Sequence, residues 1–188
     1  ETLPLATCLD PGTLLAYEMN GVSLPPEHGF PLRLVVPNVY GLKSIKWLTG
    51  IEVVRTDTPQ GYWEKRGWSD TAVVQVQSRI DQATLPRTLQ AGQRYIFGGI
   101  AFAGSRGIQQ VEVSTDTGRT WQPATVKPAL SPYTWQLWVF PWTPLQKGRY
   151  VLQVRASDTQ GRLQRTENAK AAHDGPSGLH TLKVRVNA

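Results

Sequence analysis

Residues 94–116, RYIFGGIAFAGSRGIQQVEVSTD, contain two strand-like runs, 94–104 and 107–116, parted by a Gly-containing turn. The same texture continues on both sides. Upstream, TAVVQVQSRI (71–80) alternates, with Val74, Val76 and Ser78 on one side and Val73, Gln75 and Gln77 on the other. Downstream come TWQLWVFPW (134–142), RYVLQVRASD (149–158) and LHTLKVRVN (179–187), separated by Gly, Pro, Asp and Asn turns. Six or seven short strands over about 115 residues, with no helix pattern among them, predict an antiparallel β-sandwich of immunoglobulin type. Trp121, Trp135 and Trp138 are expected in the core, with ligand platforms as the alternative.

The composition suits one or two globular domains: 188 residues, 40% hydrophobic and 18% charged. No apolar run approaches the roughly 20 residues of a membrane span, and the start lacks a signal-peptide pattern. The chain opens on Glu1 rather than Met, which reads as a processed or truncated piece of something longer. Its net charge of +6 is dispersed, and the densest cluster, EKR at 64–66, already contains an acid. A basic stripe with exposed aromatics is missing, so nucleic acid is not the expected partner. Cys8 is the only cysteine, which excludes an internal disulfide and any Cys-cluster zinc site.

Residues 1–54 are mixed in character. Prolines at 25, 26, 31 and 37 argue against long helices. SIKWLTGIEVV (44–54) spaces Ile45, Trp47, Ile51 and Val53 as a strand with one buried face. Residues 55–71, RTDTPQGYWEKRGWSDT, read as a linker or loop whose aromatics (Tyr62, Trp63, Trp68) dock on a neighbour or line a site.

No G-x-S-x-G, H-E-x-x-H, P-loop or strand-linked G-x-G-x-x-G is present. The best constellation is His28, Arg33, Ser44 and Lys46. His28 precedes a strand, Arg33 opens it, and Ser44 and Lys46 point to one face if their segment is extended. A His, a fork-shaped Arg and a Lys near strand ends suit phosphate or another polyanion. On spacing alone, solvated turn charges are the commoner explanation of the same residues.

LLAYEMNGVSLPPEHGFPLRLVVPNVYGLKSIKWLTGIEV (14–53) resembles the end of the molybdopterin-binding domain of the sulfite oxidase family. GGIAFAGSRGIQQVEVSTDTGRTWQPA (98–124) resembles that family's C-terminal dimerisation domain. The resemblance implies a mainly β fold, an immunoglobulin-like sandwich of the E-set type preceded by a fragment of a mixed α/β molybdopterin-binding domain. It divides the chain into that fragment (1–54), an aromatic-bearing linker (55–71) and the dimerisation domain (72–188). It also implies a molybdopterin cofactor in the intact enzyme, oxygen-atom transfer at molybdenum, and electrons passed to a haem or other carrier. By position, His28, Arg33, Ser44 and Lys46 fall where the family contacts the pterin and its phosphate. The family's cysteine ligand lies in an upstream half, and Cys8 does not match it, so no metal ligand is expected in this chain and the chain alone is expected to be inactive. The family's active-site tyrosine falls at or next to Trp68. Trp68 and Arg66 are the candidates for the substrate rim, and Lys170 or His173 for the place of a late substrate-binding arginine. A homodimer through the sandwich and an electron-acceptor protein are the implied partners. The spacer resembles bacterial, often membrane-tethered relatives, which implies an extracytoplasmic location. Rival expectations are a non-catalytic interaction module, or a carbohydrate- or peptide-binding sandwich with a coplanar row of Trp63, Trp68 and Trp142.

Overall fold

A computed structural model describes residues 1–55, 61–86, 88–167, 175 and 177–188. The chain divides into two compact units, Glu1–Val74 with Lys170–Pro176, and Gln75–Ala169 with Ser177–Ala188. In the first, a single-turn helix α1 (Leu5–Cys8) leads to β1 (Leu14–Ala16), β2 (Glu18–Met19), β3 (Val22–Ser23) and β4 (Arg33–Val35). β1 pairs antiparallel with β4, and β2 with β3. Asn20 and Gly21, both at positive φ, make the β2–β3 turn, as Asn-Gly turns do. Among the described residues no helix is long and apolar enough to cross a membrane.

The second unit holds β5 (Gln77–Ile80), β6 (Thr88–Gln90), β7 (Tyr95–Phe102), β8 (Ile108–Ser114), β9 (Gln122–Pro123), β10 (Thr125–Val126), β11 (Gln136–Trp142), β12 (Gly148–Asp158) and β13 (His180–Asn187). They form the immunoglobulin-like sandwich, with sheets ordered β10-β11-β7-β5 and β6-β13-β12-β8-β9. All neighbours are antiparallel except β6 and β13. Alternate residues of each strand enter one core: Phe97 and Ala101, Trp138 and Phe140, Val111 and Val113, Leu152 and Val154. Phe97 stands edge-on to Trp138, Phe140 and Trp142, with centroids 6.2, 5.6 and 6.3 Å away.

Gly98 and Gly99 are explained by their neighbours. A Cβ on Gly98 would lie 2.3 Å from the Trp138 carbonyl oxygen, and one on Gly99 would lie 1.8 Å from the Arg79 carbonyl oxygen. The residues of β7 facing both adjacent strands thus have no room for a side chain. Three polar side chains tie the sandwich together. Gln164 accepts from Ser78 Oγ (2.7 Å) and the Ala156 N–H (3.2 Å), and donates to the Gly178 carbonyl (2.9 Å). His180 Nδ1 accepts the Ile80 N–H at 3.2 Å. Asp158, fully buried, accepts from Arg106 and Arg162 and from the backbone N–H groups of Gln160 and Arg162.

Several expectations need correction. Residues 44–54 form no strand. A 3-10 turn (Gly41–Lys43) and a left-handed backbone at Trp47 (φ 53°) break the alternation, and Ile51 and Val53 are exposed. Within 71–80 only Gln77–Ile80 pairs as a strand, although Val74, Val76 and Ser78 are buried along one side as read. Trp138 is core, but Trp135 is 46% exposed and stacks on Phe102, and Trp121 is half-buried under the Arg155 guanidinium.

Candidate functional site

A short 3-10 turn, Pro26–His28, enters the region where the charged residues of the first unit gather. Its prolines fix φ at its start, and Gly29, at φ 113°, ends it in a conformation that side-chain-bearing residues rarely adopt. Three consecutive carbonyls of this turn are each taken by one side chain. Trp47 Nε1 donates to Pro26 O at 2.9 Å, Lys46 Nζ to Glu27 O at 2.9 Å, and Arg33 Nη1 to His28 O at 3.1 Å. Lys46 Nζ also lies 4.6 Å from the Trp47 ring centroid, a cation–π contact.

Backbone bonds from Leu34 N to Ile45 O (2.8 Å) and from Leu48 N to Leu32 O (2.9 Å) hold 45–48 beside β4. This brings Lys46 next to Arg33 without a regular ladder. The two side chains close on Gly29, where a Cβ would sit 3.1 Å from both Arg33 Cβ and Lys46 Cβ. Trp47 holds a left-handed backbone, which for a bulky residue costs about 1–3 kcal/mol. Its indole bond to Pro26 and its contact with Lys46 hold it there.

Three of the four residues singled out in the sequence therefore meet here: Arg33 and Lys46 through their side chains, His28 through its carbonyl, with its imidazole exposed. Ser44 does something else, its Oγ accepting the Val36 N–H at 3.1 Å on the β4 side. A molybdopterin phosphate needs converging cations with a donor left over. Arg33 Nε is buried with no hydrogen-bond partner, which leaves a donor over beside Lys46. The residues fit such a group.

A second cluster in the same unit was missed in the sequence. Lys43 is wholly buried, forms an ion pair and hydrogen bond with Glu64, donates to Thr2 O at 3.0 Å, and has the Glu1 carboxylate 3.7 Å away. Burial alone would raise the Glu64 carboxyl, but the Lys43 hydrogen bond, with a backbone N–H, the Glu1 hydrogen bond and the Lys43 charge behind it, holds it below the usual range. Glu1 is pushed up, by burial first and then by its hydrogen bond to Glu64. No local spacing signals Lys43, because its carboxylate partner lies 21 residues away.

Glu64 opens a 3-10 turn, Glu64–Arg66, that carries the aromatic loop. Arg66 Cζ lies 3.5 Å from the Tyr62 ring centroid, and its Nη1 donates to Tyr62 O at 2.9 Å. Trp68 is half-buried, edge-on to Trp63 at 5.5 Å and 68°. Trp63 and Trp68 are thus not coplanar, and in the second unit Trp142 packs edge-on against Phe97 and Tyr150. Cys8 is exposed. Lys170 and His173 lie outside the described residues.

Residues 1–63 match the family described as oxidoreductase molybdopterin binding domain, and residues 69–171 the Mo-co oxidoreductase dimerisation domain. Mitochondrial sulfite oxidase of Macaca fascicularis is 34% identical over 177 residues, 81% of this chain and 32% of that protein. Sulfite oxidase of Arabidopsis thaliana is 36% identical over 140 residues, 66% of this chain and 36% of that protein. The chain thus spans about a third of the length of these relatives. Among solved structures, the sulfane dehydrogenase SoxCD from Paracoccus pantotrophus matches with a TM-score of 0.73 at 25% identity, covering 97% of this chain and 51% of that one.

Proposed function

The chain belongs to the sulfite oxidase family of molybdopterin-dependent oxidoreductases, and we propose that it supplies the phosphate-binding wall and the dimerisation domain of such an enzyme. Bound molybdopterin supplies the two-electron oxygen-atom transfer; the protein contributes binding, orientation and charge. Arg33 and Lys46 neutralise the cofactor phosphate. Arg33 Nε donates to it, while Nη1 and the Lys46 ammonium are held in place by the carbonyls of His28 and Glu27. The His28 imidazole, exposed beside them, adds a further donor. Ser44 keeps β4 in register with the segment that carries Lys46, so its contribution is to position rather than to contact.

The Lys43–Glu64 pair fastens the Tyr62–Trp68 loop, where Arg66 and Trp68 are the rim candidates. Arg66 reaches an anionic substrate only by leaving the Tyr62 ring. The electrons leave to a one-electron carrier protein, and the enzyme works as a homodimer outside the cytoplasm. Fractionation of cells expressing the natural gene tests that location. The exposed apolar side chains of the first unit (Leu14, Tyr17, Val22, Ile51, Val53) are those of a cofactor domain covered by further chain.

The buried, unpaired Arg33 Nε beside Lys46 is the observation that carries this reading. Replacing both cations, Arg33→Met with Lys46→Met, in the full-length protein is expected to strip the pterin, read as fluorescence of the oxidised cofactor released on denaturation, and molybdenum with it. Undiminished cofactor content in a folded double variant would falsify the assignment.

A further inference from the structure

Acidic residues are unevenly spread along the sandwich. No Asp or Glu occurs in 82–111, 117–157 or 175–188, although Lys and Arg recur in all three stretches. The imbalance is sharpest at the end of the sandwich where β7 and β12 begin and β11 and β13 finish. The Ala91 N–H donates to Asn187 O at 2.9 Å and the Gly92 N–H to Pro144 O at 2.8 Å. These bonds tie the turn before β7, the β11–β12 turn and the last residues of β13 together. Arg94, Lys147, Arg149 and Arg185 are all exposed here. Arg149 lies directly across from Arg185, and an open cleft of about 480 Å³ is lined by Lys147, Arg149 and Arg185. Like charges set opposite one another weaken a sheet. Among the described residues, none of these cations has a carboxylate within ion-pair distance. Elsewhere the same unit pairs its arginines, Arg155 with Glu112 and Arg106 with Asp158. Asp116, in the turn after β8, has both carboxylate oxygens turned onto Ser114 and Thr120.

An apolar side chain stands among these cations. Leu145, 81% exposed, sits in the β11–β12 turn. The turn is braced on both sides of it: Pro144 is fully buried, and the Gln146 carbonyl accepts the Tyr150 hydroxyl at 2.9 Å. The neighbouring turn is held in the same way. There the Tyr95 hydroxyl accepts the Gln90 N–H at 2.8 Å and donates to Gln93 Oε1 at 2.9 Å. Leu145 is therefore presented outward on a fixed support. A free phosphate or sulfate gains nothing from a leucine, and one such ion cannot meet cations spread over two turns and two strands. An acidic protein surface would meet the charges, but would need an apolar pocket in register with Leu145. An anionic bilayer needs no such coincidence, since it offers a field of phosphates with hydrocarbon directly beneath. An apolar tip and a basic patch together supply two signals for reversible membrane binding.

We propose that this end of the sandwich docks reversibly on an anionic lipid surface. Leu145 enters the boundary between headgroups and acyl chains, while Arg94, Lys147, Arg149 and Arg185 meet lipid phosphates. None of these residues belongs to the Arg33–Lys46 site, so the proposal stands apart from the cofactor reading. Flotation of the full-length protein with vesicles tests it. Vesicles of phosphatidylcholine with phosphatidylglycerol are expected to carry the protein, and vesicles of phosphatidylcholine alone are not. Leu145→Ser is expected to weaken binding to the anionic vesicles about tenfold. Arg149→Gln with Arg185→Gln is expected to weaken it about fivefold for each charge removed. Leu130→Ser, 87% exposed in the loop before β11 at the opposite end, is expected to change nothing. Absence of binding to the anionic vesicles, binding that ignores lipid charge, or undiminished binding by Leu145→Ser each overturns the proposal. Displacement by inorganic phosphate with no effect of Leu145→Ser overturns it in favour of a free-oxyanion site. Molybdenum and pterin content, measured in the same samples, is expected to be unchanged in every variant and reports separately on the cofactor reading.

Discussion

Gly29 is the residue at which one added carbon matters most to the candidate site. Gly29→Ala combines a φ of 113° with contacts 3.1 Å from two Cβ atoms. It is expected to lose about 1–3 kcal/mol of stability in denaturant titration and to lower cofactor content in the full-length protein. Three titratable groups make stability depend on pH. Burial lowers His180 first and the Arg79 charge adds to it, against a smaller opposing effect of Asp81. Its Nδ1 accepts a backbone N–H, so the folded state needs the neutral ring. Its stabilisation is complete above the unfolded value of 6.5 and is lost as pH falls through the lower folded value. His180→Asn, which keeps an acceptor in place, is expected to flatten the melting temperature against pH just below that value. Burial would raise Asp158, but the N–H groups of Arg162 and Gln160 and the guanidinium of Arg106 hold it low. Asp116, bonded by Thr120 and Ser114, is held at about 2 against an ordinary 3.8. Both contributions are complete above 3.8; that of Asp116 fades toward about 2 and that of Asp158 is lost as pH falls through its own lowered value, so a second, acid decline is expected. Asp158→Asn should cost about 3 kcal/mol near neutrality, since two arginines lose their buried partner, and should blunt that acid decline. Arg33 and Lys46 were legible in the sequence because each flanks an apolar segment with few other charges nearby. Lys43 and His180 were not, because what makes them matter is a partner far along the chain.

The elements of the sandwich were legible wherever both sheet faces were distinct. β7, β8, β11 and β13 lie inside the stretches read as strands and β12 exceeds its stretch by Gly148 alone, because a two-sided layer imposes a period of two on its residues. The segment 44–54 shows the limit. Its apolar spacing imitates a strand, but Trp47 is held by the turn at Pro26–His28, and Ile51 and Val53 are exposed rather than set against a neighbouring strand. Trp135 was misjudged for a related reason: apolar character does not say which side of a sheet a residue occupies when both sides are apolar. The Gly98-Gly99 pair is the sharpest test of the sheet geometry. Gly99→Ala would force a Cβ to within 1.8 Å of a backbone oxygen. It is expected to separate β5 from β7 and to cost more than about 3 kcal/mol, beyond the range of ordinary substitutions. Chemical denaturation measures it, and a loss below 1 kcal/mol would mean that β5 sits elsewhere.

The two units differ in what holds them. The buried hydrophobic residues of the sandwich form one continuous core, whereas those described in the first unit are Leu24, Val36, Ala72 and Val74. Hydrogen exchange on the 188-residue chain should therefore protect the amides of β7, β8, β11 and β12 most, and leave those of β1–β4 exchanging far sooner. Equal protection in both units would refute this. In the sandwich, β13 lies between β6 and β12 although it follows both in the chain. On a ribosome, β6 and β12 therefore emerge with vacant hydrogen-bonding edges facing one another's absent neighbour. At about 5–20 residues per second, the 21 positions between Asp158 and His180 leave that gap open for a second or more. During this interval the nascent sheet must avoid pairing with another chain, so the timing of translation becomes part of how this fold is reached.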